Sequence, residues 1–262
     1  EPYTQRRSFV SAERGLAIKE AISKPFQRLV DDGRVSCWLE TEAVDLNRDS
    51  DKSLWEVGVR TSGNEKVSLR GRTVVLTSGG FAANPSLYHE LMGRPQYSTL
   101  AYPFSQGMGT KLALKLGGWV RGADRYLCQF GPILQNDARP AGLLAWADIG
   151  KTLRKPWEIY VNADGKRFVA EDDSSVHKRE HALLKQPDCR FWIVFDQAIA
   201  MEAPPLIKEW SKVKMMAAFA TEKLFYKADT LEQLAVKAGI ESIAFKQTVQ
   251  DYNETVISGP DE

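Results

Sequence analysis

The chain has 262 residues, of which 43% are hydrophobic and 26% charged. This is an ordinary globular composition for one large domain or two modest ones. Its 35 basic and 34 acidic residues give a net charge of +1 and are spread along the sequence, so we expect no nucleic acid as a partner. No apolar run approaches the roughly 20 residues that a membrane span needs.

The three cysteines, Cys37, Cys128 and Cys189, are few, odd in number and far apart in the sequence. This spacing argues against a disulfide framework and suits a reducing compartment, so we expect a cytoplasmic protein. No pair of cysteines has the CxxC spacing of a metal site.

The first part of the sequence predicts a helix followed by strands. Apolar residues recur at helical spacing from Ser8 to Val30, around Pro25. Apolar and polar residues alternate over 35–46, 54–60 and 67–69, which predicts a three-stranded meander. The continuously apolar run Thr73–Leu76 ends in paired glycines, which is typical of a strand that is buried on both faces and ends at a ligand crevice. Short helices are predicted over 85–92 and 110–116.

The second part changes to aromatic-rich, mixed segments between about Trp119 and Tyr226, which predict a separate α+β domain. Within it, EIYVNADGKRFVAE predicts a hairpin that turns at Asn162–Gly165. Two helices close the sequence. The first is capped by Asp229 or Thr230, and the second runs over 242–256. The residues expected on their inward faces are Leu231, Leu234, Ala235, Ala238, Ile243, Thr248, Val249, Tyr252 and Val256.

The glycine cluster Gly79-Gly80-Phe81 is the best candidate for a ligand contact. Two consecutive glycines let the backbone approach a ligand and expose its amide donors. A tight turn is the more common reason for such a pair, and both interpretations stay open on these residues alone. The segment Gly107-Met108-Gly109 lacks the third glycine of a dinucleotide fingerprint.

His177 and His181 have the i, i+4 spacing that can hold zinc on a helix face. Neither HExxH nor an obvious third ligand accompanies them, and the intervening charged residues indicate a solvated surface, so we expect no metal. No nucleophile elbow is present to support covalent hydrolysis.

Arg154, Arg167 and Glu171 form a second candidate group, on or beside the predicted hairpin. Two guanidinium groups can hold a carboxylate, and a glutamate beside an arginine can relay a proton. The alternative is that these residues are surface charges or an internal ion pair that fixes the hairpin.

A series of blocks, in order, resembles a known family. The blocks are VVLTSGGFAANPSLYHELMG, GMGTKLALKLGG, IYVNADGKRFVAED, VFDQAIA and YKADTLEQLAVKAGI with TVQDYNETVISGPDE. Together they are similar to flavoproteins of the fumarate reductase/succinate dehydrogenase type, a group that includes soluble fumarate reductases, ketosteroid dehydrogenases and tricarballylate dehydrogenase. The resemblance covers nearly the whole chain.

The resemblance implies an α+β fold of α/β type: a partial FAD-binding domain with a β-meander and an inserted α+β capping domain. It places residues 1–100 and a helical return over 227–262 in the FAD-binding domain, and 101–226 in the cap. Gly79, Gly80 and Phe81 match the family's glycine turn beside FAD, and Ala43-Val44 matches a strand segment near the adenine. Arg154, Arg167 and Glu171 match its proton-transfer and substrate residues.

The resemblance also implies the chemistry. Family members reduce or desaturate a carbon–carbon bond beside an electron-withdrawing group, here in a small organic acid or a ketosteroid-like substrate, with an electron partner that the sequence does not name. Ser175 stands where fumarate reductases have a proton-donating arginine, Lys151 replaces an acidic residue, and Met108 replaces an aspartate. The family's GxGxxG pyrophosphate site is missing, so we expect an internal piece that is inactive and does not retain FAD by itself. The alternative is a non-catalytic binding or interaction module.

Overall fold

The structure is a computed structural model that describes residues 11–13, 15–51, 53–123, 126, 128–149, 155–207 and 209–258. These residues form two compact units. The first unit comprises residues 11–84 and 103–121, and the second comprises residues 85–102 and 122–258. The mixture of helices and strands confirms the predicted α+β fold class.

The first unit contains two helices and a three-stranded antiparallel sheet in the order β1-β2-β3. The sheet confirms the predicted meander, although its first strand begins at Thr41 rather than at residue 35, and residues 35–38 lie outside it. Pro25 lies within the first helix without ending it. The elements of this unit are α1 (Gly15–Asp31), β1 (Thr41–Arg48), β2 (Trp55–Thr61), β3 (Lys66–Gly71) and α3 (Met108–Lys115).

The predicted buried strand over Thr73–Leu76 is wrong. These residues adopt no strand in the structure, and Val75 and Leu76 are exposed. A strand that is buried on both faces needs neighbours with which to share backbone hydrogen bonds. Among the described residues, no strand pairs with this run, and the sheet ends at β3.

The second unit contains most of the core and two short two-stranded sheets, β4-β5 and β6-β7. Its fully buried side chains include Tyr160, Val161 and Phe245. The elements are α2 (Pro85–Met92), β4 (Pro132–Leu134), β5 (Leu143–Trp146), β6 (Ile159–Val161), α4 (Val176–Leu184), a 3-10 turn (Pro187–Cys189), β7 (Trp192–Val194), α5 (Gln197–Glu202), α6 (Lys212–Thr221), α7 (Leu231–Ala238) and α8 (Ser242–Ser258).

The predicted hairpin is only partly correct. The turn at Asn162 is present. The backbone amide of Lys166 donates to Oδ1 of the Asn162 side chain at 2.9 Å. The second half of the segment makes one isolated bridge, between Val161 and Arg167. The partner of β6 along its length is instead β7, about 30 residues further along the chain.

The two C-terminal helices pack on β6 and β7. Thr230 caps α7, as its hydroxyl accepts from the amide of Gln233 at 3.2 Å. The four predicted inward residues of α7 all join this core. On α8, Val249 and Tyr252 pack inward and Thr248 is half-buried, whereas Ile243 and Val256 are exposed, so those two predictions are wrong.

No helix among the described residues is long and apolar enough to cross a membrane. The assignment of residues 1–100 and 227–262 to the FAD-binding domain, and of 101–226 to the cap, stays a prediction.

Candidate functional site

The glycine turn after β3 has an open backbone. Gly79 has a φ of +81°, a conformation that only glycine adopts readily. A side chain at Gly80 would meet nothing within 4 Å. The carbonyl of Gly80 accepts from the amide of Gly107 at 3.0 Å. The turn is therefore held in place from one side while its exposed side leaves room for a ligand.

Helix α3 begins directly against this turn. The hydroxyl of Ser78 accepts from the amide of Gly109 at 3.1 Å. A side chain at Gly109 would lie 2.6 Å from that hydroxyl oxygen, so glycine allows this close approach. Met108, which replaces the family's aspartate, is the first residue of α3.

Ala43 and Val44 lie at an irregularity in β1. The register shifts between Ala43 and Asp45, so Val44 has no partner residue on β2. Asp45 forms an ion pair with Lys115 at 2.5 Å. The hydrogen bond from Lys115 holds the pKa of the Asp45 carboxyl below its usual range, helped by one from Asn47. This pair joins the bulge to the last turn of α3.

The two predicted flavin contacts thus lie at opposite ends of one helix. Ser78 contacts the start of α3 and Asp45 contacts its end, and α3 has eight residues, which separates its ends by about 10 Å. Gly79 and Gly80 are exposed, and an exposed glycine turn lets a polar ligand such as a nucleotide approach the backbone closely. The residues present therefore fit one edge of an FAD site.

Arg167 and Glu171 meet in the second unit. Arg167 donates from Nη2 to Oε2 of Glu171 at 2.5 Å and from Nε to Oε1 at 3.1 Å. Oε1 also accepts from the amide of Tyr160 at 2.8 Å. Glu171 is 6% exposed and Arg167 22%. The carboxylate is therefore neutralised and fully hydrogen-bonded within the protein.

Helix α8 supports this pair. The guanidinium of Arg167 lies 4.7 Å from the centre of the Tyr252 ring. Thr248 donates from its hydroxyl to the carbonyl of Gly165 at 2.7 Å. These contacts fix the turn that precedes Arg167, so the pair has a defined, largely buried position in the second unit.

Arg154 and Lys151 lie outside the described residues, so the structure does not place the third predicted catalytic residue. Ser175 caps α4, because its hydroxyl accepts from the amide of Lys178 at 3.2 Å. One turn later, Arg179 is buried and donates to the carbonyl of Ile149 at 2.5 Å.

His177 and His181 lie on one face of α4 with ring centres 4.1 Å apart. Nδ1 of His181 lies 2.9 Å from the carbonyl oxygen of His177. In the described part of the chain, no cluster of three metal-binding side chains forms around them.

Sequence reasoning missed a pair of cysteines in the second unit. Cys128 and Cys189 are 61 positions apart in the sequence, and both line a cavity of about 510 Å³. No spacing signal could have revealed them, because the fold alone brings their segments together.

The amino-acid sequence matches the FAD binding domain family over residues 4–262. The chain belongs to this family. FAD is the cofactor of this family.

Two relatives and one solved structure show how this member compares with known proteins. The chain is 28% identical to Probable fumarate reductase Ifc3 of Shewanella frigidimarina over 85% of this chain and 35% of that protein. It is 27% identical to NADH:acrylate oxidoreductase of Vibrio harveyi over 95% of this chain and 23% of that protein. The open conformation of a flavocytochrome c3 fumarate reductase matches with a TM-score of 0.52 and 27% identity, over 84% of this chain and 36% of that one.

These matches confirm the resemblance to flavoproteins of the fumarate reductase type. They also show that the chain spans only about a quarter to just over a third of the length of these three proteins.

Proposed function

We propose that the chain is part of a flavin-dependent oxidoreductase that reduces or desaturates a carbon–carbon bond beside an electron-withdrawing group. The observation that carries this proposal is the family match over residues 4–262, together with relatives named as reductases of fumarate and acrylate. Fumarate and acrylate are both small acids with an activated alkene. The proposed substrate class is accordingly a small organic acid, with a ketosteroid-like compound as the wider possibility.

In this proposal the first unit holds one edge of the cofactor. Gly79, Gly80 and Phe81 contact it at the turn, and Ala43 and Val44 contact it at the bulge. FAD, when bound, supplies the hydride chemistry. The contribution of these residues is to fix the position of the cofactor, since their backbone is held by α3 and has little freedom to adjust.

The second unit contributes the proton route. Glu171 is the proposed proton-transfer group, and both of its carboxylate oxygens accept hydrogen bonds from Arg167. Arg167 holds that carboxylate in one orientation through its two contacts. Arg154 is proposed as a further group of the same proton route. The substrate is proposed to bind at the end of that route.

Cofactor binding provides the first test. The 262-residue chain should purify colourless and take up no stoichiometric FAD, because the resemblance assigns the pyrophosphate-binding motif to a segment outside this sequence. A stoichiometric flavin spectrum with this chain alone would contradict the predicted incompleteness. The longer polypeptide, with the segments encoded on either side, should purify yellow.

Turnover by the longer polypeptide provides the second test. With a reduced artificial electron donor, it should reduce fumarate, acrylate or a related activated alkene. Glu171→Gln should lower kcat by about 100-fold, within the range for loss of a proton-transfer group, with a much smaller change in KM. Lys166→Gln is the matched control, since the exposed Lys166 side chain neighbours Arg167 in sequence.

The rival proposal is a non-catalytic binding module derived from the same fold. Ser175 favours it, because this residue serves as a helix cap where fumarate reductases have a proton-donating arginine. A full-length protein that binds FAD but reduces none of these alkenes, with Glu171→Gln unchanged from wild type, would support the rival.

A further inference from the structure

The cavity in the second unit brings two thiols to one wall. Cys128 is buried and Cys189 half-buried, and both pack against the aromatic cluster that contains Phe130 and Phe191. The Cys128 sulfur also lies 3.5 Å from the carbonyl oxygen of Glu180. Both side chains also line the same cavity of about 510 Å³, so the fold brings the two thiols into one small region of the second unit.

Polar groups surround Cys189 on its cavity side. The hydrogen bond from Cys128 is the largest cause that lowers the pKa of Cys189 to about 6, although burial opposes it. The Tyr97 hydroxyl and the charge of Arg94 also lower the pKa of Cys189, whereas the Asp188 carboxylate raises it. Burial and the neighbouring thiol raise the pKa of Tyr97 to about 12, so its hydroxyl remains a donor at neutral pH.

The remaining charged and titratable groups near Cys189 belong to the same cluster. Arg139 lies 3.8 Å from the Asp188 carboxylate and stacks over the Tyr97 ring at 4.9 Å. Burial raises the pKa values of Tyr88 and Tyr126, so both stay neutral. Cys189 therefore lies in a cluster with the charges of Arg94 and Asp188 and with neutral tyrosine hydroxyls, and Arg139 contacts Asp188 and Tyr97 within it.

The backbone holds Cys189 in an uncommon conformation. Asp188 and Cys189 have φ values of +55° and +47°, in the left-handed region that side chains other than glycine rarely adopt. This strain is about 1 kcal/mol or more for each residue. It is offset by the packing of Cys189 against the aromatic cluster, which fixes the sulfur at the cavity wall.

We propose that Cys128 and Cys189 form a peroxide-sensitive dithiol site at the wall of this cavity, with Cys189 as the attacking sulfur and Cys128 as the resolving sulfur. The oxidant is a small hydroperoxide such as hydrogen peroxide. A half-buried sulfur beside a cavity is accessible to such a molecule, and a second thiol in the same cavity wall can limit oxidation to the disulfide.

The chemistry proceeds in two balanced steps. The thiolate of Cys189 attacks one peroxide oxygen, the O–O bond breaks, and the departing hydroxide takes up the proton that Cys189 had released, which gives sulfenic acid and water. The sulfur of Cys128 then attacks the Cys189 sulfur, loses its proton and displaces the sulfenic hydroxyl as a second water. Both cysteines are oxidised by two electrons in total, and the peroxide is reduced.

The test is mass spectrometry of the reduced 262-residue chain after treatment with one equivalent of hydrogen peroxide at pH 7. The expected product is a single peptide pair linked through Cys128 and Cys189, which a dithiol reagent separates again. Cys37 is exposed and serves as an internal control that should stay reduced. Oxidation of Cys37 ahead of Cys189, or the absence of the linked peptides, would overturn the proposal.

Two variants separate the roles of the sulfurs. In Cys128→Ser the disulfide should vanish and a sulfenic acid on Cys189, trapped with dimedone, should increase several-fold over wild type. In Cys37→Ser the yield of linked peptide should equal that of wild type. A dimedone adduct on Cys189 that is no greater in Cys128→Ser than in wild type would contradict the resolving role. The site does not depend on the proposed function, because the readout needs neither FAD nor turnover.

Discussion

Nη2 of Arg167 lies 2.5 Å from Oε2 of Glu171, in an ion pair whose carboxylate also accepts the amide hydrogen of Tyr160. Glu171 is 6% exposed and Arg167 22%. Removal of the Glu171 charge therefore leaves the guanidinium of Arg167 without its carboxylate partner in a largely buried position. Glu171→Gln should lower the free energy of unfolding by about 2 kcal/mol, and Glu171→Ala by about 3 to 5 kcal/mol. Urea unfolding measures both.

The matched control for this pair is Glu42→Gln. Glu42 pairs with Arg60, also at 2.5 Å, but both side chains are about half exposed. Such a surface pair contributes about 0 to 1 kcal/mol. Equal losses of unfolding free energy from Glu42→Gln and Glu171→Gln would show that burial does not strengthen the Arg167–Glu171 pair.

Gly165 should tolerate no side chain. Its φ is +75°, and a Cβ there would lie 2.5 Å from the amide nitrogen of Phe245 and 2.6 Å from the carbonyl oxygen of Glu241. Both atoms are backbone and cannot move aside cheaply. Gly165→Ala should therefore lower the free energy of unfolding by about 3 kcal/mol or more. Gly239→Ala should cost only about 1 to 2 kcal/mol, because its φ of +72° is similar but nothing lies within 4 Å.

Phe245 should contribute most of the packing between α8 and β6. It is fully buried among Ile159, Val161 and Ala235. Phe245→Ala should lower the free energy of unfolding by about 3 to 5 kcal/mol through lost burial and the cavity left behind. Ile243→Ala, two residues away, removes a side chain that is 82% exposed, and should change stability by less than about 0.5 kcal/mol. A similar loss from both substitutions would refute this orientation of α8.

Ser175 should act as a helix cap. Its hydroxyl accepts from the amide of Lys178, and its own amide donates to Asp173 at 2.9 Å. Ser175→Ala should destabilise the chain by about 1 kcal/mol, while Ser175→Asp, which keeps a capping oxygen, should stay close to wild type. Thermal unfolding of the three proteins checks this, and an aspartate variant as unstable as the alanine variant would argue against the cap.

Alkylation of Cys189 should follow an unusual pH profile. With its pKa at about 6, the thiolate forms as the pH rises through 6 and is nearly complete above pH 7. At pH 6 iodoacetamide should modify Cys189 about tenfold faster than a free-cysteine peptide, since a larger thiolate fraction outweighs the lower nucleophilicity of a more acidic thiol. Above pH 8 the order should reverse. A rate that rises in parallel with that of the peptide up to pH 9 would show an ordinary thiol at this position.

The sequence predicted α1, α2, α3, α7 and α8 because their signals are local, but it gave no bounds for α4, α5 and α6. The bounds of α2 were correct at both ends, and Thr230 was one of two predicted caps for α7. Ile243 was assigned to the wrong face because the inward stripe of α8 runs through Phe245, Val249 and Tyr252. A residue two positions before Phe245 lies about 200° around the helix and faces away.

The sequence pattern could not predict which strands pair when they lie far apart along the chain. The alternation near Arg167 predicted a strand opposite β6, but β7 takes that place, and only one bridge to Arg167 remains. The apolar run before Gly79 has the composition of a buried strand, yet burial depends on partner strands that a local pattern does not reveal. The candidate site was predicted to the extent that Arg167 and Glu171 are in contact. Their mutual neutralisation and the meeting of Cys128 with Cys189 arise only from the fold.

The contact between Gly165 and the start of α8 determines where the protein can be divided for experiments. The turn that carries Arg167 rests directly on helix backbone about 80 residues further along the chain. An expression clone that stops before residue 242 would remove this support, expose β6 and β7, and yield aggregated material. Any smaller version of the second unit has to extend at least through Tyr252.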